Sequence, residues 1–239
     1  MKINNASQHL FQLTCYAVMN CYLVSEDDGF TLIDTTISGQ GKSIIQMAQK
    51  LGKPITRIVL THAHVDHVGS LDELHAALPD AEVMISERDA RFLTGDKSLD
   101  PTEPQVPLKG GYPVCTTKPT RLLHEGDRIG SLEVIATPGH TPGHLAFLDQ
   151  RDRALIVGDA FQTQGGTAVS GKFQLLFPLP ALATWHKPSC QNSARKLLAL
   201  QPSLLAVGHG RVLQQPQAEM QRAIETMERL LAKEKAKGK

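Results

Sequence analysis

Four apolar runs in this 239-residue chain lead directly into a histidine or an aspartate: ITRIVL before Thr61 and His62, EVIAT before Pro138, Gly139 and His140, LIV-Gly before Asp159, and LAV-Gly before His209. Short apolar runs bounded by turn residues read as buried strands. Open α/β sheets collect their ligand-binding groups just beyond the carboxyl ends of such strands. A chain with a chemically capable residue at four such ends is expected to fold so that those ends share one edge.

The rest of the chain supports an α/β reading. Alternation in FQLTC (11–15), YLV and FTLI (30–33), with the turn signal EDDG at 26–29, predicts an opening set of antiparallel strands. From Lys42 the spacing becomes helical through Ile44, Ile45, Ala48 and Leu51, with Gly52 and Pro54 as stops. ITRIVL (55–60) is a buried strand, Val68, Leu71, Leu74 and Leu78 form a second helical stripe, and AEVMIS (81–86) is the next strand. Residues 94–119 hold Pro101, Pro104, Pro107, Pro113, Pro119 and Gly110-Gly111, too broken for a helix or a central strand. Strands resume at SLEVIAT (131–137), LAFLD (145–149) and ALIVG (154–158), followed by a second irregular stretch. A helix after Pro188 with Ser189 as N-cap, a strand LLAVG (204–208) and a helix begun by Pro216 complete the pattern, with KEKAKGK as a frayed, solvated tail. The expectation is one α/β domain over 1–239 with inserted loops near 94–119 and 161–188.

Composition narrows the function. Lys plus Arg (25) against Asp plus Glu (24) leaves +1, and aromatics are only 5%, so the basic footprint and stacking platforms of nucleic-acid binding are missing. No run approaches the roughly 18 apolar residues that cross a bilayer, and MKINNASQHL lacks a secretory apolar stretch, so a cytoplasmic protein with no membrane partner is expected. Cys15, Cys21, Cys115 and Cys190 form no CxxC pair and read as reduced packing residues.

The chemistry concentrates in HAHVDH, which puts His62, His64, Asp66 and His67 within six residues. At this chain's own His and Asp frequencies, an HxHxDH match arises by chance about once in a thousand such chains. Imidazole and carboxylate are ligands of zinc-like metals, an extended H-x-H turns both rings to one side, and four donors in one loop suit two ions better than one. Taken alone, His140, Asp159 and His209 could each be turn or capping residues; their common place after a strand argues for the site. His144 reads as a packing or supporting residue, and His9, His75, His124 and His186 as structural or exposed. Asp34, at the end of TLID, could orient a ligand histidine or serve only the turn.

At these residues the sequence resembles the metallo-β-lactamase superfamily: HxHxDH at 62–67, TPGHTPGH holding His140, the Gly-Asp step at Asp159 and GHG at His209, in order across residues 30–210. The resemblance implies a four-layer αβ/βα sandwich with a dinuclear site at one edge. It implies that His62, His64 and His140 hold one metal ion, that Asp66, His67 and His209 hold the second, and that Asp159 bridges both. The ions implied are two divalent cations, zinc first, with manganese, iron and cobalt as alternatives. His64 stands where diiron reductases of the superfamily carry Glu, Asp159 stands where subclass B1 β-lactamases carry Cys, and the Cys-Gly-Arg element of glyoxalase II-like thioesterases is missing.

The remaining resemblance is to the broad group of lactonase-like and uncharacterised hydrolases of the superfamily, which implies a small-molecule substrate. The expected reaction is hydrolysis of a carboxylic ester, lactone or thioester by a metal-bridged hydroxide, with Asp66 as the catalytic proton carrier. The alternatives are phosphodiester or phosphotriester hydrolysis on the same two ions, and a mononuclear iron oxygenase of the persulfide dioxygenase type. The irregular segments offer Phe161, Phe173, Leu175, Leu176, Phe177, Trp185 and Tyr112 either as walls of an apolar pocket or as a self-packed loop or homodimer contact.

Overall fold

The computed structural model describes residues 1–238, and the alternating segments at its start pair as the pattern requires. Strands β1 (Lys2–Asn5), β2 (Leu10–Cys15), β3 (Met19–Glu26) and β4 (Gly29–Ile33) run antiparallel, each beside the next. Helix α1 (Gly41–Lys50) returns the chain so that β5 (Ile55–Val59) joins in parallel, and β6 (Glu82–Ser86) and β7 (Arg121–Leu123) extend the sheet the same way. Helices α2 (Val65–Val68) and α3 (Leu71–Ala77) lie between β5 and β6, and α4 (Glu87–Leu93) follows β6.

The second sheet begins with β8 (Arg128–Ile129), β9 (Leu132–Ala136), β10 (Leu145–Asp149) and β11 (Ala154–Ile156), all antiparallel. A small hairpin of β12 (Phe161–Gln162) and β13 (Ala168–Val169) and the short α5 (Leu179–Ala183) lead into α6 (Lys187–Ala199). The crossover through α6 sets β14 (Leu204–Ala206) parallel to β11, β15 (Leu213–Gln214) turns back beside it, and α7 (Gln217–Lys237) closes the described chain. The sheet orders are β1-β2-β3-β4-β5-β6-β7 and β15-β14-β11-β10-β9-β8.

Strands that are apolar on both faces must be covered on both, and the core divides accordingly. Between the sheets, Leu10, Val24, Ile33 and Val59 meet Val134, Phe147, Ile156 and Leu204. On the outer side of the first sheet, Leu32, Ile58 and Ile85 pack with Ile44, Leu71, Leu74 and Phe92 of the helices. On the outer side of the second, Ala146, Leu155 and Leu205 pack with Ala194, Leu197, Met220 and Ile224. Three apolar seams make four layers, the αβ/βα sandwich. No helix among the described residues is long and apolar enough to cross a membrane.

Several local expectations are corrected. The single stripe from Val68 to Leu78 is two helices, because the Gly69 N–H donates to the Thr36 carbonyl (2.8 Å) and Ser70 Oγ to the Ile37 carbonyl (2.6 Å), turning the chain at 69–70. The N-cap of α6 is His186, whose Nδ1 accepts the Ser189 N–H, so the helix begins before Ser189. The lysine-rich end is helical to Lys237, because Ala, Lys and Glu are good helix formers and Glu234 pairs with Lys187. The stretch read as irregular between 161 and 188 contains β12, β13 and α5. Helix α4 was not foreseen; its ERDARFL sequence carries only a short apolar signal, but Ser86 caps it by accepting the Asp89 N–H (3.0 Å).

Phe147 lies fully buried between the sheets. Phe147→Ala should destabilise the protein by about 3–5 kcal/mol, read from urea unfolding, whereas Lys233→Ala on the exposed end of α7 should change stability by less than about 0.5 kcal/mol.

Candidate metal centre

The seven residues singled out in the sequence come together at one edge of the sandwich, beyond the carboxyl ends of β5, β9, β11 and β14. His62 follows β5, and His64 is the N-cap of α2, whose single turn carries Asp66 and His67. His140 follows β9 through the Pro138-Gly139 turn, and Asp159 and His209 follow the parallel neighbours β11 and β14. One ligand atom from each of His62, His64 and His140 lies within 4.8 Å of the others, and the same holds for Asp66, His67 and His209. His62, His67 and Asp159 form a third such group, so Asp159 stands between the two triplets. Its Oδ1 is 3.4 Å from His67 Nε2, and its Oδ2 is 3.4 Å from His140 Nε2 and 3.2 Å from His209 Nε2.

Each imidazole is tied from behind, which decides which nitrogen faces inward. His67 Nδ1 donates to Asp34 Oδ2 (2.7 Å), His64 Nε2 to the Lys109 carbonyl (3.0 Å) and His209 Nδ1 to the Val18 carbonyl (2.9 Å). His62 Nδ1 donates to Thr61 Oγ1 (2.9 Å), whose own proton goes to Asp34 Oδ2 (2.8 Å). His140 Nδ1 meets Ser170 Oγ (2.7 Å), at the head of a chain that runs through Thr184 Oγ1 to the Pro180 carbonyl. Asp34 therefore supports two of the histidines. It does so at φ +61, uncommon for a side chain other than glycine.

What these ties leave pointing inward is a set of lone pairs. His64 Nδ1 and His140 Nε2 face each other at 2.9 Å, and His62 Nε2, His67 Nε2 and Asp159 Oδ1 are buried with no hydrogen-bond partner among the described residues. An unsatisfied buried polar group costs about 1–3 kcal/mol, so such an arrangement calls for cations at its centre. The charge balance agrees. Burial holds His62 and His140 well below the usual imidazole range and His64 near 4. Burial acts the same way on His67 and His209, but there the Asp159 and Asp66 carboxylates outweigh it and push His209 up to about 10. Three neutral imidazoles beside two carboxylates that demand positive charge are a donor set suited to divalent first-row ions.

The surroundings explain the close approach. A Cβ on Gly208 would stand 2.2 Å from Asp159 Oδ1 and 2.7 Å from His67 Cε1, so only glycine lets β14 deliver His209 this near. His144 has both nitrogens engaged, Nδ1 with Thr137 Oγ1 (2.7 Å) and Nε2 with the Asp159 N–H (3.2 Å), and so supports the site rather than facing it. Among residues the sequence did not single out, Ser170, Thr184 and the Lys109 and Val18 carbonyls hold ligand candidates, and Asp89 binds their loops. No residue-type signal marks a backbone carbonyl, and Ser86 three residues before Asp89 signals only a helix start.

A cavity of about 440 Å³ opens over the cluster, and its apolar walls differ from those expected. They are Met19, Ile37, Val65, Leu179 and Leu182. Phe161 and Trp185 are buried away from it, Phe173, Leu175 and Leu176 project into solvent, and the Phe177 and Tyr112 rings pack against His209 (5.1 Å between centroids) and His64 (4.6 Å). The α5 turn carries Leu179 and Leu182 to the mouth in their place.

Gly208→Ala should cost about 1–3 kcal/mol of stability and lower metal uptake, read by unfolding and by metal content after purification without chelator.

Comparison with known proteins agrees with this geometry. The metallo-beta-lactamase superfamily profile matches residues 18–209. The uncharacterized protein YobT of Bacillus subtilis (strain 168) is 53% identical over 222 residues, covering 91% of this chain and 95% of that one. The probable metallo-hydrolase YflN of the same organism is 30% identical over 217 residues, 81% of each. The crystal structure of TTHA1623 in a di-iron-bound form superimposes with a TM-score of 0.61 at 29% identity, over 85% of this chain and 93% of the other. With the profile spanning the cluster from before His62 to His209, and the two sheets framing it, the chain belongs to the metallo-β-lactamase superfamily of metal-dependent hydrolases.

Proposed function

We propose that this protein hydrolyses a neutral carboxylic ester, lactone or thioester with an apolar acyl portion, using two divalent metal ions, zinc in the first instance. The observation that carries the reading is the pair of ligand triplets with Asp159 between them. His62, His64 and His140 would hold one ion, Asp66, His67 and His209 the other, and Asp159 both. When bound, two such ions polarise a carbonyl oxygen and lower the pKa of water from about 15.7 to about 7, supplying a nucleophile at neutral pH without a serine or cysteine.

The chain's own residues do the rest. The cavity walls above the cluster are apolar, and none of the described residues lining it is a lysine or arginine, so an acyl chain finds apolar contact there while a phosphate finds no side-chain cation in the walls beyond the site itself. That lining favours a carboxylic ester over a phosphodiester. Asp66 has the most exposed side chain of the seven ligand candidates, at 28%, and lies in the cavity wall. Its carboxylate, 3.2 Å from His209 Nε2, is placed to accept a proton from water and return it to the leaving group.

Protein purified without chelator should carry about two ions per chain; a single iron with oxygen uptake on a persulfide would replace this reading with an oxygenase. In a substrate panel, apolar lactones and thioesters should be turned over in preference to phosphodiesters, and the reverse order would sink the assignment of the pocket. Asp66→Asn should lower kcat by about 10²–10⁴-fold with the fold unchanged by circular dichroism, and Asp159→Ala should remove activity on every substrate in the panel.

A further inference from the structure

We propose that the buried carboxylate of Asp89 is a positioning residue that clamps the His62-to-His64 loop to the His140 loop and so sets the affinity of that triplet for its metal ion. The inference rests on the metal-dependent reading above.

Asp89 lies in the first turn of α4, is fully buried, and has no ion-pair partner among the described residues. The three donors to its carboxylate among the described residues all come from the loops that carry the triplet. The Ala63 N–H, between His62 and His64, reaches Oδ2 at 3.1 Å. Thr141 Oγ1, next after His140, reaches the same oxygen at 2.6 Å, and the Gly143 N–H reaches Oδ1 at 2.7 Å. These loops lie more than 70 residues apart in the chain. Among the described residues, the other ties between them are the Leu145 N–H to the Thr61 carbonyl (2.8 Å), the inward-facing pair of His64 and His140, and the His62 ring against the His140 and His144 rings (4.9 and 5.0 Å between centroids).

A purely structural joint could be made without burying an ionisable group, which is expensive. What a carboxylate adds is acceptor capacity on both oxygens with no donor of its own, so it can take bonds from two loops at once, whereas an asparagine would turn an NH₂ toward at least one of these donors. The contact is also built to be tight. A Cβ on Gly143 would stand 2.5 Å from Ser86 Oγ and 2.6 Å from Asp89 Oδ1, so glycine is what allows the backbone this close. Asp34 provides a parallel by holding His67 of the other triplet directly (2.7 Å), while it also reaches His62 through Thr61 Oγ1. Asp89 touches no ligand side chain and acts through the backbone that carries them.

The test measures metal affinity by competition with a chromophoric zinc chelator in the full-length chain, for wild type, Asp89→Asn and Thr141→Val, with circular dichroism and thermal unfolding alongside. Replacing a residue that supports a ligand typically weakens metal binding by about 10–100-fold. Asp89→Asn should weaken one zinc ion by about that factor and leave the other at wild-type affinity; Thr141→Val, which removes a single donor, should move the same ion in the same direction by less. If Asp89→Asn fails to fold, Thr141→Val decides. Two ions at wild-type affinity in the folded variants would overturn the proposal even if the melting temperature fell, and so would equal weakening of both ions. A wild-type chain that takes up no zinc would overturn the metal-dependent reading as well, whereas two ions in wild type with unchanged variants would remove only the role of Asp89.

Discussion

Everything in this structure answers to one constraint: five imidazoles and two carboxylates must be kept facing one another, six of them almost wholly out of water. Left to themselves such groups would separate, since each loses hydration on burial and inward lone pairs repel. The protein opposes this by fastening every imidazole through the nitrogen that does not face the cluster. The fastenings come from elements far apart in sequence: Asp34 after β4, the Val18 carbonyl before β3, the Lys109 carbonyl in the long loop, and Ser170 after β13. The inner atoms are then left with nothing to bond except one another or a cation.

The sandwich makes those fastenings reachable. Strands β5, β11 and β14 end at the same edge because each is drawn there by its own apolar faces, packed against the facing sheet on one side and helices on the other. The parallel pairing of β11 and β14 brings Asp159 and His209 side by side, and Gly208 removes the one atom that would keep them apart. The loop over 94–120, which contains no helix or strand, is held by ion pairs of Arg88 with Glu103 and of Arg91 with Asp100, and by Asp72 accepting from the Thr116 and Thr117 N–H groups. That holding is what makes the Lys109 carbonyl a dependable partner for His64.

How much of this could be read beforehand depended on whether the relevant interactions were local. HAHVDH is contiguous, so its donors announce themselves by spacing, and His140, Asp159 and His209 were marked by the strands that precede them. Asp34 was ambiguous as a strand-terminal aspartate, and its bonds to His67 and Thr61 become visible only when β4 and β5 pair. Asp89 lies in a helix whose short, charged sequence gave no strong periodic signal, and its three donors come from residues 26 to 54 positions away. Whether the apolar residues of the irregular segments wall a pocket or pack on themselves was open in the sequence for a related reason: apolar content shows that a segment seeks cover, not which side chains find it. Phe161 found it in the second sheet's core, whereas Leu179 stands at the cavity mouth, 57% exposed.

The sequence by itself determined the layer pattern and the identity of the seven converging residues, because hydrophobic period and clustered donor chemistry are properties of short segments. Only the tertiary structure decided which nitrogen of each ring turns inward, where Asp159 stands between the two triplets, which side chains wall the cavity, and that Asp89 joins two distant loops. Those outcomes depend on distances between residues far apart in the chain, and such distances are set by how the two sheets and their helices pack.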